Sequence, residues 1–283
     1  MIPAPDGSNV LSDAPPVLPR EAVQRWRLVL AREPIPSESA QREQLAAWEQ
    51  ALSASALPVA GLDAARPRPR FALAAPLGAS TPGEAELADV WLVERVPAWR
   101  AREALAAAMP TGWRLVDLYD VWLGEPALPG RVVASVYRAT FAEGAIDAAR
   151  LREAAAGLLD ADAVPRERRK GDTVVAYDLR PFVDGLVVEA RDPGTVVLMT
   201  LRHDPEKGVG RPEEVLAALG DRLDSALPMA TVVRQRLVLA DPAPPPPPAQ
   251  RRRPGGRASR GGRALDAPGS PARAPGSRAP GAL

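Results

Sequence analysis

Arg66-Pro-Arg-Pro-Arg70, Phe71-Ala-Leu-Ala-Ala-Pro-Leu-Gly78 and, after a short polar break, Glu86-Leu-Ala-Asp-Val-Trp-Leu-Val93 form the stretch whose reading decides the fold. Two apolar runs flank a Gly/Ser/Thr/Pro turn, the pattern of two strands joined as a hairpin. Alternating arginines and prolines stand just ahead of the first run. Upstream, Trp26–Ala31 predicts a strand and Pro34 and Pro36 a turn. Ser37 or Ser39 is placed to cap a helix. In that helix Leu45, Trp48 and Leu52 recur at helical spacing until Pro58 ends it. The hairpin strands are expected at 70–77 and 86–96. Pro97 suits the first turn of a helix running to Met109, where a missing N–H is no loss. Trp113–Leu123 predicts the last strand, with Leu115, Leu118 and Val121 inward. The order is β-α-β-β-α-β.

Beyond a Pro/Gly linker at 124–130 the same order returns. Val132–Phe141 predicts a strand and Asp147–Leu159 a helix capped by Asp147. Val164–Arg169 and Thr173–Leu179 are strand candidates about Gly171. Leu186–Ala190 and Thr195–Arg202 predict a hairpin about Asp192-Pro-Gly194. A helix at Pro212–Leu223 and a strand at Thr231–Ala240 close the unit, which holds more strands than its template. The expected class is α+β: two tandem ferredoxin-like βαββαβ units with antiparallel sheets, at 23–124 and 131–240. Residues 1–22 are expected to be a disordered leader, and 241–283 a disordered Pro/Arg/Gly-rich tail behind a Pro244–Pro248 spacer.

Composition narrows the chemistry. The formal net charge of +1 conceals an asymmetry. Residues 250–283 hold eight arginines and one acid, which leaves 28 basic and 34 acidic residues, near −6, in the body. With no cysteine, disulfides, thiolate metal sites, cysteine nucleophiles and cysteine-held iron–sulfur clusters are excluded. His203 is the one histidine, so a histidine relay or a multi-histidine metal site would have to be built around it. No metal or cofactor is called for. No run of about 18 apolar residues and no signal-peptide pattern is present, and the expected compartment is the cytoplasm.

The chain resembles the uncharacterised radical SAM-linked proteins, found beside or fused to a radical SAM enzyme, over about residues 24–240. The resemblance is carried by Trp48-Glu-Gln-Ala-Leu52, Leu57-Pro58, Pro67-Arg-Pro-Arg-Phe-Ala-Leu-Ala-Ala-Pro-Leu77 and Glu84-Ala-Glu-Leu-Ala-Asp-Val-Trp91. Val116-Asp-Leu-Tyr-Asp-Val-Trp122, Asp178-Leu-Arg-Pro181 and Arg211-Pro-Glu-Glu-Val-Leu216 continue it. It implies a partner, a radical SAM enzyme, rather than a reaction. Ala40–Glu43 and Leu62–Ala65 depart from the family's polar pattern, so only the Pro67–Arg70 loop carries over as a site.

Arg66, Arg68 and Arg70, spaced by prolines, are planar forks suited to phosphates or carboxylates; their other reading is charge that protects a strand edge. Arg166, Arg168, Arg169 and Lys170 form a second basic cluster, which pseudo-symmetry would bring to the same groove as an RNA footprint. Its alternative is an exposed hairpin face. Arg251, Arg252, Arg253, Arg257, Arg260 and Arg263 make the tail a candidate nucleic-acid contact or a solubilising extension. His203 stands before Asp204, which could raise its pKa, or is a surface residue. Most of the six tryptophans fall at core spacing, Trp99 being the one expected to be exposed. Three functions follow: a non-catalytic accessory module presenting RNA or another anionic substrate to a radical SAM enzyme; a free-standing RNA-binding protein; and a nucleotide- or tRNA-modifying enzyme using Asp63 or Asp178 in a cleft.

Overall fold

The structure is a computed structural model that describes residues 20–35, 41–171 and 173–241. The expected leader up to residue 19, the caps Ser37 and Ser39, and the tail from 242 lie outside the described residues. In Gln24–Arg32 (β1), Trp26, Leu28 and Leu30 point to one face and Arg25 and Arg27 to the other, as a strand's two-residue period dictates. Gln41–Ala54 (α1) and Ala98–Ala108 (α2) cover the apolar face with Trp48, Leu52, Ala101 and Leu105. Phe71–Leu73 (β2), Gly83–Leu92 (β3) and Trp113–Asp120 (β4) complete the first half-sheet in the order β4-β1-β3-β2, antiparallel throughout.

The second half is built from Val132–Phe141 (β5), Ala148–Leu159 (α3), Val183–Ala190 (β8), Thr195–Asp204 (β9), Pro212–Arg222 (α4) and Thr231–Leu239 (β11). Its order is β11-β5-β9-β8, again antiparallel throughout. Leu151, Leu158, Val215 and Leu219 from its helices meet Phe141, Val197, Met199 and Leu201 from its strands in a second core. Asp147 caps α3 as expected, its carboxylate accepting the N–H groups of Ala149 and Arg150. Pro165–Lys170 (β6) and Thr173–Asp178 (β7) pair only with each other, as a separate two-stranded ladder. That hairpin accounts for the strands in excess of the template, together with the two-residue Gly208–Val209 (β10) on β9.

The fold is therefore α+β, with four α-helices among the described residues. The halves do not carry separate sheets. β11 lies parallel to β3 at the Arg234–Gly83 register and Arg234 N–H donates to Pro82 O at 2.9 Å, so nine strands form one sheet. Three further expectations shift. β2 stops at Leu73 instead of 77, because the carbonyls beyond Ala74 turn to two arginine side chains rather than to β3. β4 ends at Asp120, leaving Val121 outside the strand. Leu45 is exposed rather than inward, whereas Trp48 and Leu52 are buried. No helix among the described residues is long and apolar enough to cross a membrane.

Candidate functional site

The arginine loop is held by its own backbone. Prolines 67 and 69 have no N–H, so the loop's donors are those of the arginines. Arg68 N donates to Gly61 O at 3.0 Å and Arg70 N to Ala60 O at 2.7 Å, while Arg70 O accepts Trp91 N at 3.2 Å. Gly61 has φ +87°, and a Cβ there would strike Arg68 O, so glycine is what lets the loop close. Pro69 is buried and the three arginines are exposed. Arg68 meets Glu49 at 2.8 Å. The Arg70 guanidinium lies 4.7 Å from the Trp91 ring centroid, and that ring also carries the buried Arg25 at 4.8 Å.

The second cluster has two of its arginines engaged by neighbours. Alternation along β6 leaves Glu167 and Arg169 exposed and turns Arg166 and Arg168 inward. Arg166 reaches Asp221 on α4 at 2.6 Å, and Arg168 lies over Tyr177. The structure thus seats Arg66–Arg70 against β3 in the first half, and Arg166 and Arg168 against α4 and β7 in the second. The side chain of Lys170 and the tail arginines lie outside the described residues.

His203 is half-buried. Its Nε2 lies 2.8 Å from Ser135 Oγ, and burial, with Arg234 nearby, pulls its pKa down to about 4, opposite to the rise expected from Asp204. The Asp204 carboxylate instead accepts the N–H groups of Glu206 and Lys207. Asp63 accepts Arg20 N–H, which holds its pKa below the ordinary range. Asp178 accepts the N–H groups of Val164 and Arg180, closing the β6–β7 hairpin. Trp99 is exposed as expected, and so is Trp122.

What the sequence reading missed is inside. Arg25 and Arg27 share the fully buried Asp89 across β1 and β3. The linker at 121–131 closes over them: Glu125 O and Pro126 O accept from Arg25, and the Glu125 carboxylate serves Arg27 and Arg131. Near the junction of the halves, Glu86 of β3 hydrogen-bonds Arg234 of β11 through both oxygens. Arg234 also donates to Pro76 O and Ala75 O. Arg32 of β1 donates to the carbonyls of Leu77, Gly78, Ala79 and Thr81. The 75–81 segment is therefore clamped by two buried guanidiniums.

Their electrostatics differ. Burial lowers the pKa of both; for Arg234 the Glu86 carboxylate and Tyr137 together offset burial and the value ends raised, whereas Arg32 ends lowered, burial and Arg234 outweighing the opposing pull of Glu86. Beside Arg32 lies a cavity of about 580 Å³, with Phe71, Leu73, Leu77 and Trp113 in its wall and Gln44 at its edge. The missed residues left one readable trace, arginines at strand positions; burial itself depends on partners up to 159 residues away.

A family model described as "Uncharacterized protein conserved in bacteria (DUF2344)" matches residues 39–212. The match spans α1 through the start of α4 and includes the arginine loop and the 75–81 clamp. No curated protein matches the chain.

Proposed function

The chain belongs to the bacterial DUF2344 family, and from that premise we propose that it is an accessory module, without chemistry of its own, that offers an anionic substrate to a radical SAM enzyme in the cytoplasm. The observation that carries this reading is the braced loop: three exposed guanidiniums on a backbone fixed through Gly61, Ala60 and Trp91. A pre-set row of forks loses little conformational freedom on meeting phosphates, which favours RNA. The resemblance of this same stretch to radical SAM-linked proteins supplies the partner. Asp63 and Asp178, on which an activity of its own would call, are both engaged in backbone hydrogen bonds. The recurrence of one strand order in both halves supports reading the chain as a duplicated ferredoxin-like unit, with the β6–β7 hairpin inserted in the second copy.

Two measurements test the proposal. Affinity purification of the full chain from native extract is expected to bring down a radical SAM enzyme; a clean monomer overturns that part. Titration with structured RNA at 50 and 200 mM salt tests the loop. Three phosphate contacts are worth roughly a twenty- to fortyfold loss of affinity over that interval, and the R66Q/R68Q/R70Q variant should lose that share of the salt dependence. An unchanged salt slope removes the loop from the reading. RNA binding with no partner enzyme favours the second reading, a free-standing RNA-binding protein.

A further inference from the structure

The cavity beside Arg32 makes no use of the arginine loop or of a partner enzyme, and what it suggests goes beyond the function proposed above. Arg32 is 2% exposed, and its guanidinium meets carbonyl oxygens and, at 3.5 Å, the Gln44 amide, but no carboxylate among the described residues. Its Nε is buried without any hydrogen-bond partner. Glu86, the carboxylate whose charge is felt at Arg32, commits both oxygens to Arg234. Two buried cations thus share one buried anion. Carbonyl dipoles solvate a guanidinium but leave its charge uncancelled, and in a poorly polarisable interior an uncancelled charge is costly.

The wall of the cavity says what else would fit. Phe71 and Trp113 bring ring surface and Leu73 and Leu77 aliphatic surface, while Gln44 is the neutral polar group beside the cation. Behind this wall Trp48 stacks on Phe71 and meets Trp113 edge-on, and its indole N–H is also buried without a partner. The volume, about 580 Å³, is that of a small-molecule pocket, and a mostly apolar lining with one convergent charge is the usual make-up of such a pocket. We infer that this cavity is a binding site for a small organic anion, a flat apolar body carrying one carboxylate or phosphate directed toward Arg32.

The site can be tested with simple aryl probes on the full chain, followed by tryptophan fluorescence and calorimetry. Benzoate and phenyl phosphate separate carboxylate from phosphate, and benzyl alcohol is the neutral control. One of the two anions is expected to bind at a single saturable site, at least about tenfold tighter than benzyl alcohol, since hydrogen bonds to a charged group are worth that factor or more. Arg32→Gln should abolish the preference for the anion. Because that variant also loosens the 77–81 carbonyls, a second one decides the matter if it fails to fold. Gln44→Glu places a carboxylate on the group already 3.5 Å from Arg32 Nη1. It should raise the thermal midpoint of the ligand-free protein by supplying the missing negative charge, and weaken anion binding at least about tenfold by occupying its place. The inference is overturned if neither anion binds, if benzyl alcohol binds equally well, or if Gln44→Glu leaves both the midpoint and the affinity unchanged.

Discussion

Glu86→Gln is the most revealing single change that the fold offers. Glu86 is 3% exposed, holds Arg234 through both carboxylate oxygens, and is the acid whose charge is felt at Arg32. The amide keeps the shape of the side chain but removes the charge, and sets an N–H₂ donor against guanidinium donors. Both buried cations are then left without a carboxylate. Breaking a buried pair in this way costs about 3–5 kcal/mol, against about 5–15 kcal/mol of total stability for a typical domain. For a body of this size, that is a fall of roughly 6–20 °C in the thermal midpoint. Glu84→Gln is the matched control. It lies two residues away on β3 and pairs with Arg138 at 2.5 Å, but with side chains 45% and 32% exposed, so its loss should cost less than about 1 kcal/mol. Urea unfolding of both variants, with the slope checked for constancy, measures the difference. If Glu86→Gln costs no more than Glu84→Gln, the picture of an interior short of negative charge is wrong.

Three further outcomes follow from the same structure. Gly61→Ala forces a side chain onto a residue with φ +87° and against Arg68 O; it should cost about 1–3 kcal/mol in urea unfolding and weaken the RNA binding proposed for the loop, whose brace it removes. Asp147→Ala removes the acceptor for Ala149 N and Arg150 N at the start of α3, and should lower stability by about 1 kcal/mol, while Asp147→Asn keeps most of it. His203 is held neutral in the folded state, with its pKa near 4 against an ordinary 6.5. Above about pH 7 neither state protonates it, so it contributes no pH dependence there. As pH falls, the unfolded chain takes up the proton first and stability drops, from pH 6.5 until the folded group titrates near 4. A shift of that size caps the effect at about 3 kcal/mol, and solvent screening of a half-buried ring reduces it to about 1–2 kcal/mol. Unfolding curves of His203→Gln should lack that acid slope; a slope identical to that of the parent chain refutes the assignment.

Local pattern was enough for most elements. Apolar runs marked β1, β5 and β9, Pro97 and Asp147 marked the starts of α2 and α3, and Asp192-Pro-Gly194 marked the β8–β9 turn. It failed where an element's extent depends on a distant side chain. Phe71–Leu77 reads as one strand, but only Phe71–Leu73 pairs along β3, because the carbonyls that follow are drawn off by Arg32 and Arg234. The join between the halves was invisible for a related reason: a single parallel register point, Arg234 to Gly83, leaves no periodicity to read. The candidate site was legible at its surface and not in its interior. Proline spacing announced the exposed Arg66–Arg70 loop. Arg25, Arg27, Arg32 and Arg234 look like any strand arginines until the register sets Asp89 and Glu86 beside three of them.

Those four arginines, each 1–2% exposed, face two carboxylates as deeply buried, Asp89 and Glu86, in a body whose surface is on balance acidic. The imbalance is resolved differently on the two faces of the sheet. On the face away from α1 and α2, the linker folds back and brings Glu125 to Arg27 and Arg131, so the chain supplies the missing anion itself. Near the junction, the 75–81 segment folds back as well, but it brings carbonyl oxygens and no carboxylate, and it leaves a cavity beside Arg32. Linker and segment are alike as covers and unlike in charge. A cover that satisfies hydrogen bonds while leaving the cation uncancelled is costly as pure scaffolding, because an apolar residue of similar volume would fill the same space at no electrostatic cost. That excess is what a ligand anion would relieve, and it is why the binding function is assigned to Arg32 rather than to the equally buried Arg25.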